Sequence, residues 1–315
     1  MPPGTVSPHP MNGYCWVPRW LEGLKPLSRQ RTGTQATGPR PSRQAPNSGL
    51  QNSLLTLRPD HPTLPGQSKL NDMRVRKQLN RILKPLLGYQ ISKVEFGREL
   101  WPDVKTLLAK KDITTVFDVG ANEGQTAVEF LRHFPRARIY SFEPAPAAFQ
   151  TLRAFAASHP RVTAVNTALG HLPGPAEFHE NAFAQASSFL PAAARSGDYF
   201  GPEVLGCRRK ITVEVTTLDA FCRSEAIGTL DLLKLDVQGF ELNVLKGAAG
   251  FLAAGNIGCL VLELNFAPLY EGQAAFQDVA GLLGSHRYDL TGFYDFNHTR
   301  QNHLQWCEAV FHRRH

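Results

Sequence analysis

The chain has 315 residues, 42% of them hydrophobic, and a formal net charge of +7, which is enough to bury one or two cores. Its excess of base sits at one end: residues 1–70 hold eight Lys/Arg against two acids, whereas residues 99–315 hold 19 against 23. A mildly acidic body is no nucleic-acid footprint, no apolar run approaches the roughly 18 residues of a membrane span, and five scattered cysteines without a CxxC pair make neither a disulfide framework nor a zinc site and suit a reducing, cytoplasmic setting.

Residues 1–72 are crowded with Pro, Gly, Ser, Thr and Gln and show no lasting apolar period, a composition expected to form a disordered extension. The opening "MPPGTVSPHP" has no basic cluster ahead of an apolar core. From Met73, "MRVRKQLNRILKPLLGYQ" reads as a natural protein start and opens an N-terminal helical segment, 73–112. Its basic, amphipathic stretch 74–86 is able to touch an anionic membrane, although a solvated helix face explains the same pattern.

From residue 113 to 315 strand and helix patterns alternate as in an α/β sheet. "TTVFDVG" (114–120), "RIYSFEP" (138–144) and "RVTAVNTAL" (161–169) read as strands, with helices over 125–134 and 146–159 between them. Apolar strands separated by helices imply a parallel sheet covered on both faces. Between 170 and 217 the rhythm gives way to short strands and loops, expected over one end of the sheet. It resumes with "LDLLKLDVQG", a helix beginning near Phe240, "CLVLELN" (259–265), a helix over 274–285, and the closing strands "YDLTGFYDF" and "LQWCEAVFHR", which are close enough in sequence to pair antiparallel.

Chemistry concentrates where strands end. "DVGANEG", Asp118 to Gly124, joins a strand to a helix through glycines that let the backbone approach a ligand, beside free helix N–H groups. Glu143 ends the next strand, where a carboxylate can take two ribose hydroxyls. A nicotinamide site would show G-x-G-x-x-G; here the pattern is G-x-N-x-G, which suits a cofactor with ribose but no diphosphate, and S-adenosylmethionine is the common one. In "LKLDVQGFE" strand alternation sets Lys234, Asp236 and Gln238 on one face. A carboxylate at that end can orient an acceptor hydroxyl and take its proton, with Lys234 as its charge partner; a purely structural Lys234–Asp236 ion pair is the competing reading. Glu241, in the first turn of the following helix, is explained by the helix dipole. Glu263 and Asn265 end the next strand and point toward the same cleft. Asp236, Glu263 and Asn265 also make an oxygen-rich set of the kind Mg²⁺ favours, but the ligand types do not suffice to assign a metal.

These segments together resemble the FkbM family of S-adenosylmethionine-dependent methyltransferases. The pieces "FDVGANEGQTA", "SFEPAPAAFQTL", "VNTALG", "ASSFL", "VEVTTLDAF", "LLKLDVQGFELNVLKGA", "LVLELNFAPLYEG" and "CEAVF" occur in the family's order over roughly residues 73–315. The resemblance implies a Rossmann-like class I methyltransferase fold, a seven-stranded, mostly parallel sheet with the last strand antiparallel. It also implies methyl transfer, most often to a hydroxyl of a sugar or secondary metabolite, hence a small-molecule or glycan acceptor. Asp118, Gly120, Asn122, Gly124 and Glu143 would hold the cofactor, Asn166 to Ala168 would lie near its adenine, and Asp236 would face the methyl group. Ser187 and Ser188 match the family's paired serines, with Ser188 placed near the acceptor. The family's usual Glu is replaced by Gln238, which keeps a non-catalytic cofactor-binding scaffold in view beside an NAD(P)-dependent oxidoreductase.

Overall fold

The computed structural model describes residues 75, 77–83, 85, 95–108, 112–200, 204–299 and 301–314, all within the compact unit Lys69–His315. The expected extension 1–72 lies outside the described residues. Those described between 75 and 85 are helical, with Val75, Leu79 and Ile82 exposed. No helix among the described residues is long and apolar enough to cross a membrane.

The central sheet is built around β1 (Thr115–Val119), flanked by β2 (Arg138–Phe142) and β3 (Val162–Val165) on one side. On the other side stand β7 (Leu230–Leu235), β8 (Ile257–Asn265), β10 (Leu304–Arg313) and, at the edge, β9 (Tyr288–His298). β10 runs antiparallel to both its neighbours, and the remaining pairs are parallel. The chain therefore grows outward from β1, returns, and grows outward the other way from β7. The crevice between β1 and β7 at their carboxyl ends is the topological switch point, where open α/β sheets bind ligands.

Each face of the sheet is apolar because its strands carry apolar residues at every second place. On one face Phe117, Leu233, Leu235, Leu262 and Leu264 pack against α5 (Leu218–Ser224), α6 (Glu241–Lys246), α7 (Ala249–Ala254) and α8 (Phe276–Ser285). On the other face Val116, Ile139, Leu232, Val261 and Val310 meet α1 (Leu100–Leu107) and α2 (Gln125–His133) through Val104, Ala127, Phe130 and Phe134. Each large side chain buried this way contributes about 1.5–3 kcal/mol. Polar ties lock the layers in register. Asp103 of α1 accepts from Gly97 N (2.6 Å) and from the Tyr294 hydroxyl of β9 (3.0 Å), and Asp231 of β7 accepts from Thr114 N and Thr115 N at the start of β1.

The structure corrects two expected elements. The single strand over 161–169 breaks at Asn166, whose side-chain nitrogen donates to Glu143 O (2.9 Å) and Pro144 O (3.2 Å). Residues before the break form β3, and residues after it form β4 (Ala168–Leu169), which joins a second, three-stranded sheet with β6 (Cys207–Thr216) and β5 (Gly174–Asn181). The helix after Gly239 is likewise two short helices, α6 and α7. They part at Gly247, where a Cβ would stand 2.0 Å from Gly170 O, so the backbone of the small sheet presses into the joint. α3 (Pro146–Ala157), with Pro at its first turn, and the four-residue α4 (Gly197–Phe200) complete the set.

Candidate active site

The loop after β1 folds back because Gly120 and Ala121 both donate to Phe142 O (3.1 and 2.9 Å), which draws it across the end of β2. Gly120 has φ +83, and a Cβ on it would stand 1.9 Å from Asp236 O. Only glycine combines that conformation with that approach, so the glycine loop and the end of β7 touch backbone to backbone. Asn122 takes a left-handed φ of 48, and Gly124 caps α2 without any side chain accepting from the helix's first N–H groups. Those donors and the positive end of the helix dipole remain available to an anion.

Glu143 is 6% exposed. Its Oε2 accepts from Asn122 N (2.9 Å) and its Oε1 from Ala145 N (2.8 Å), so each oxygen is oriented and keeps a lone pair. Burial pushes its pKa to about 7, against the two backbone hydrogen bonds and with help from the Asp118 and Asp236 charges. Asp118, buried in β1, is also raised to about 7 by burial, opposed by Lys234; the Ser141 hydroxyl donates to it (3.3 Å). Asn166 is exposed. Ala168 sits buried in β4, paired with Val215.

Lys234 and Asp236 do share one face, as alternation predicts, yet the nearer carboxylate to Lys234 is Glu308. Lys234 Nζ lies 2.9 Å from Glu308 Oε1 and 3.1 Å from its Oε2, but 3.8 Å from Asp236 Oδ2. Burial alone would lower the pKa of this ammonium; the Glu308, Asp236 and Glu263 carboxylates outweigh it and hold it above its ordinary value. Glu308 is itself raised to about 6 by burial, with Lys234 opposing. Sequence reasoning gave Glu308 no role in the site, although a lone acid inside the apolar strand "WCEAVF" was the available signal.

Gln238 follows at a left-handed φ of 53. Its Nε2 donates to Asp236 Oδ1 (2.8 Å) and to Glu263 Oε1 (2.7 Å), and its Oε1 lies 2.9 Å from the Tyr270 hydroxyl. One amide thus supplies both of its donors to two carboxyl groups that would otherwise repel. Burial, and then the Asp236 charge, raise Glu263 well above the usual carboxylate range, with Lys234 opposing. Burial, followed by the nearby carboxylates, also raises the Tyr270 phenol, so it remains a donor. Among the described residues no three His, Cys, Asp or Glu side chains are grouped to hold a metal ion.

The remaining residues singled out in the sequence divide in two. Ser188 is 1% exposed, donates to Gln238 O (2.8 Å) and accepts from Leu190 N (3.1 Å), so it ties the inserted segment to the turn after β7. Glu241 accepts from Gly239 N (3.1 Å) and Val237 N (3.3 Å) and is raised to about 7 by burial, which makes it the cap of that same turn. Asn265 ends β8, buried, with neither side-chain atom paired.

A cofactor with a ribose and a free carboxylate but no diphosphate fits these groups: Glu143 to accept from two vicinal hydroxyls and the uncapped N–H groups at the start of α2 to donate to an anion. That donor set lies at the switch point of a sheet with six parallel strands and one reversed, an arrangement belonging to the S-adenosylmethionine-dependent methyltransferases. More narrowly, the chain belongs to the FkbM methyltransferases: the family described as "Methyltransferase FkbM domain" matches residues 118–290, more than half of the chain. It is 28% identical over 216 residues to the 2-O-methyltransferase NoeI of Sinorhizobium fredii, spanning 67% of this chain and 84% of that protein. It is 27% identical over 186 residues to the methyltransferase sdnD of Sordaria araneosa, spanning 50% and 71%. Among solved structures, magnesium protoporphyrin IX methyltransferase from Synechocystis aligns over 78% of this chain and 97% of its own, at 14% identity and a TM-score of 0.37.

Proposed function

We propose that the chain methylates a hydroxyl oxygen of a small-molecule or glycan acceptor, with Asp236 as the general base. S-adenosylmethionine supplies an electrophilic methyl group when bound. The Asp236 carboxylate carries the reading: it is 31% exposed, at the switch point, one oxygen held by Gln238 and the other facing Lys234. A base fixed at both oxygens loses little orientational freedom on meeting an acceptor hydroxyl, and proton removal as the oxygen attacks is worth about 10²–10⁴ in rate. Glu143, Asn122 and the start of α2 hold the cofactor; Lys234, buried and cationic, faces Asp236 Oδ2 at 3.8 Å. The relative named as a 2-O-methyltransferase supports oxygen as the acceptor atom.

Calorimetric titration tests the cofactor half, with S-adenosylmethionine and its demethylated product expected to bind the native chain and to fail with Glu143→Ala. Turnover tests the other half: Asp236→Asn should lose about 10²–10⁴ in kcat with cofactor affinity unchanged. An Asp236→Asn enzyme as fast as the native one would remove the base from the mechanism.

A further inference from the structure

Residues 73–90 carry five bases, Arg74, Arg76, Lys77, Arg81 and Lys84, and no acid. The body that follows, 99–315, has 19 bases against 23 acids, so a strongly positive stretch is joined to a mildly negative one. Its described residues within 75–85 are helical. At 3.6 residues per turn Val75, Leu79 and Ile82 fall on one face, within about 60° of arc, and Lys77 and Arg81 fall on the opposite side.

A helix at the surface of a globular domain turns its apolar stripe to the core. α1 does so: Leu100, Val104 and Leu108, four places apart, are buried against the sheet. The stretch within 75–85 has similar spacing and the opposite outcome. Val75 is 54%, Leu79 41% and Ile82 58% exposed, and Lys77 and Arg81 are exposed as well. Single exposed aliphatic residues are ordinary, but a continuous face of them on one helix marks an interaction surface.

The charge selects the partner. Bases on one side and aliphatic side chains on the other, with no acid among them, are the pattern of a helix that lies between lipid headgroups and acyl chains. The aliphatic face enters the hydrocarbon, while the long Lys and Arg stems carry their charges back to the headgroups. A second copy of the helix would set five bases against five with no acid to pair them, whereas an anionic leaflet neutralises them.

We propose that the helical stretch within 75–85 docks the chain on an anionic lipid surface, with Val75, Leu79 and Ile82 in the acyl boundary and Lys77 and Arg81 at the headgroups. None of these residues belongs to the site at the carboxyl ends of β1 and β7, so docking and methyl transfer are tested separately.

The full chain is sedimented with vesicles of phosphatidylcholine alone and of phosphatidylcholine mixed in equal parts with phosphatidylglycerol, at low and at high salt. Binding is expected on the mixed vesicles and not on the neutral ones, and it should weaken as salt rises. Leu79→Ser combined with Ile82→Ser keeps every charge and should weaken binding at least about tenfold. Lys77→Gln combined with Arg81→Gln should weaken it about tenfold or more at low salt, since each base near an anionic surface is worth about fivefold. Both variants alter exposed side chains only, and native affinity for S-adenosylmethionine in each would show that they fold. Failure to bind the mixed vesicles, or equal binding to mixed and neutral ones, overturns the proposal. Undiminished binding after the Leu79 and Ile82 substitutions overturns it too and assigns the attraction to the basic residues 1–70. A chain that dimerises without lipid through the same two residues would assign the face to a second copy and overturn it as well.

Discussion

Lys234 Nζ stands 2.9 Å from Glu308 Oε1, with the lysine side chain 2% and the glutamate 11% exposed. The pair spans two strands, β7 and β10, separated in the sheet by β8. It neutralises one acid beneath Asp236 and fixes the cation that faces Asp236 Oδ2 at 3.8 Å. Removing one partner of a buried pair costs about 3–5 kcal/mol, because the other is left charged and dry. Glu308→Leu is therefore expected to lower urea-unfolding stability by about that amount, whereas Lys234→Met combined with Glu308→Leu should recover most of it. Loss of the same stability in the double variant would show that packing, not charge, governs the site.

Gln238 is expected to set the pH response of catalysis. Gln238→Ala frees Asp236 and Glu263 to face each other without a shared donor, and kcat should fall by about ten- to a hundredfold with cofactor affinity intact. Gln238→Glu groups three carboxyl groups with unlike-charge help from Lys234 alone. That variant should bind Mn²⁺ by calorimetry where the native chain does not, and its pH–rate profile should rise at higher pH than the native one.

The pH dependence of stability without cofactor follows from Glu143, whose folded pKa is raised from 4.5 to about 7. The folded state holds the proton more tightly than the unfolded state, so the contribution is complete below pH 4.5 and is lost as pH rises through about 7. Glu143→Gln removes it. The variant should gain on the order of 2–3 kcal/mol relative to the native chain between pH 4.5 and pH 8. Parallel urea-unfolding curves at the two pH values measure this, and no relative gain would mean that the carboxyl ionises freely in the fold.

Gly120→Ala should be severe. The methyl would overlap Asp236 O, at 1.9 Å, on a backbone with φ +83, and the left-handed conformation alone costs roughly 1–2 kcal/mol. Loss of both cofactor binding and turnover is expected, with destabilisation of about 3 kcal/mol or more from the forced shift of the β7 turn. An alanine variant with native cofactor affinity would show that the loop and β7 need not touch.

Much of the protein was legible in its residues because the signals are local. Period-two apolar runs place the strands, "DVGANEG" and "SFEP" mark the carboxyl ends of β1 and β2, and the alternation of Lys234, Asp236 and Gln238 puts polar groups where an interior strand should have none. Each of these depends only on neighbours within a few places, which is the range over which backbone periodicity acts. Contacts between distant segments were not legible. Glu308 meets Lys234 across 74 residues, Tyr270 reaches Gln238 across 32, and Asn166 ends a strand by bonding to Glu143 O 23 residues away. Such pairings are set by strand order and register, which minimise the burial of unpaired charge over the whole sheet rather than along one segment. By itself the sequence determined the class of fold and the methyl donor, and it set a carboxylate, Asp236, at the carboxyl end of β7. The tertiary structure alone decided which partners hold that carboxylate, and it gathered Glu263 and Glu308 around Lys234 and Gln238 through strand order and register.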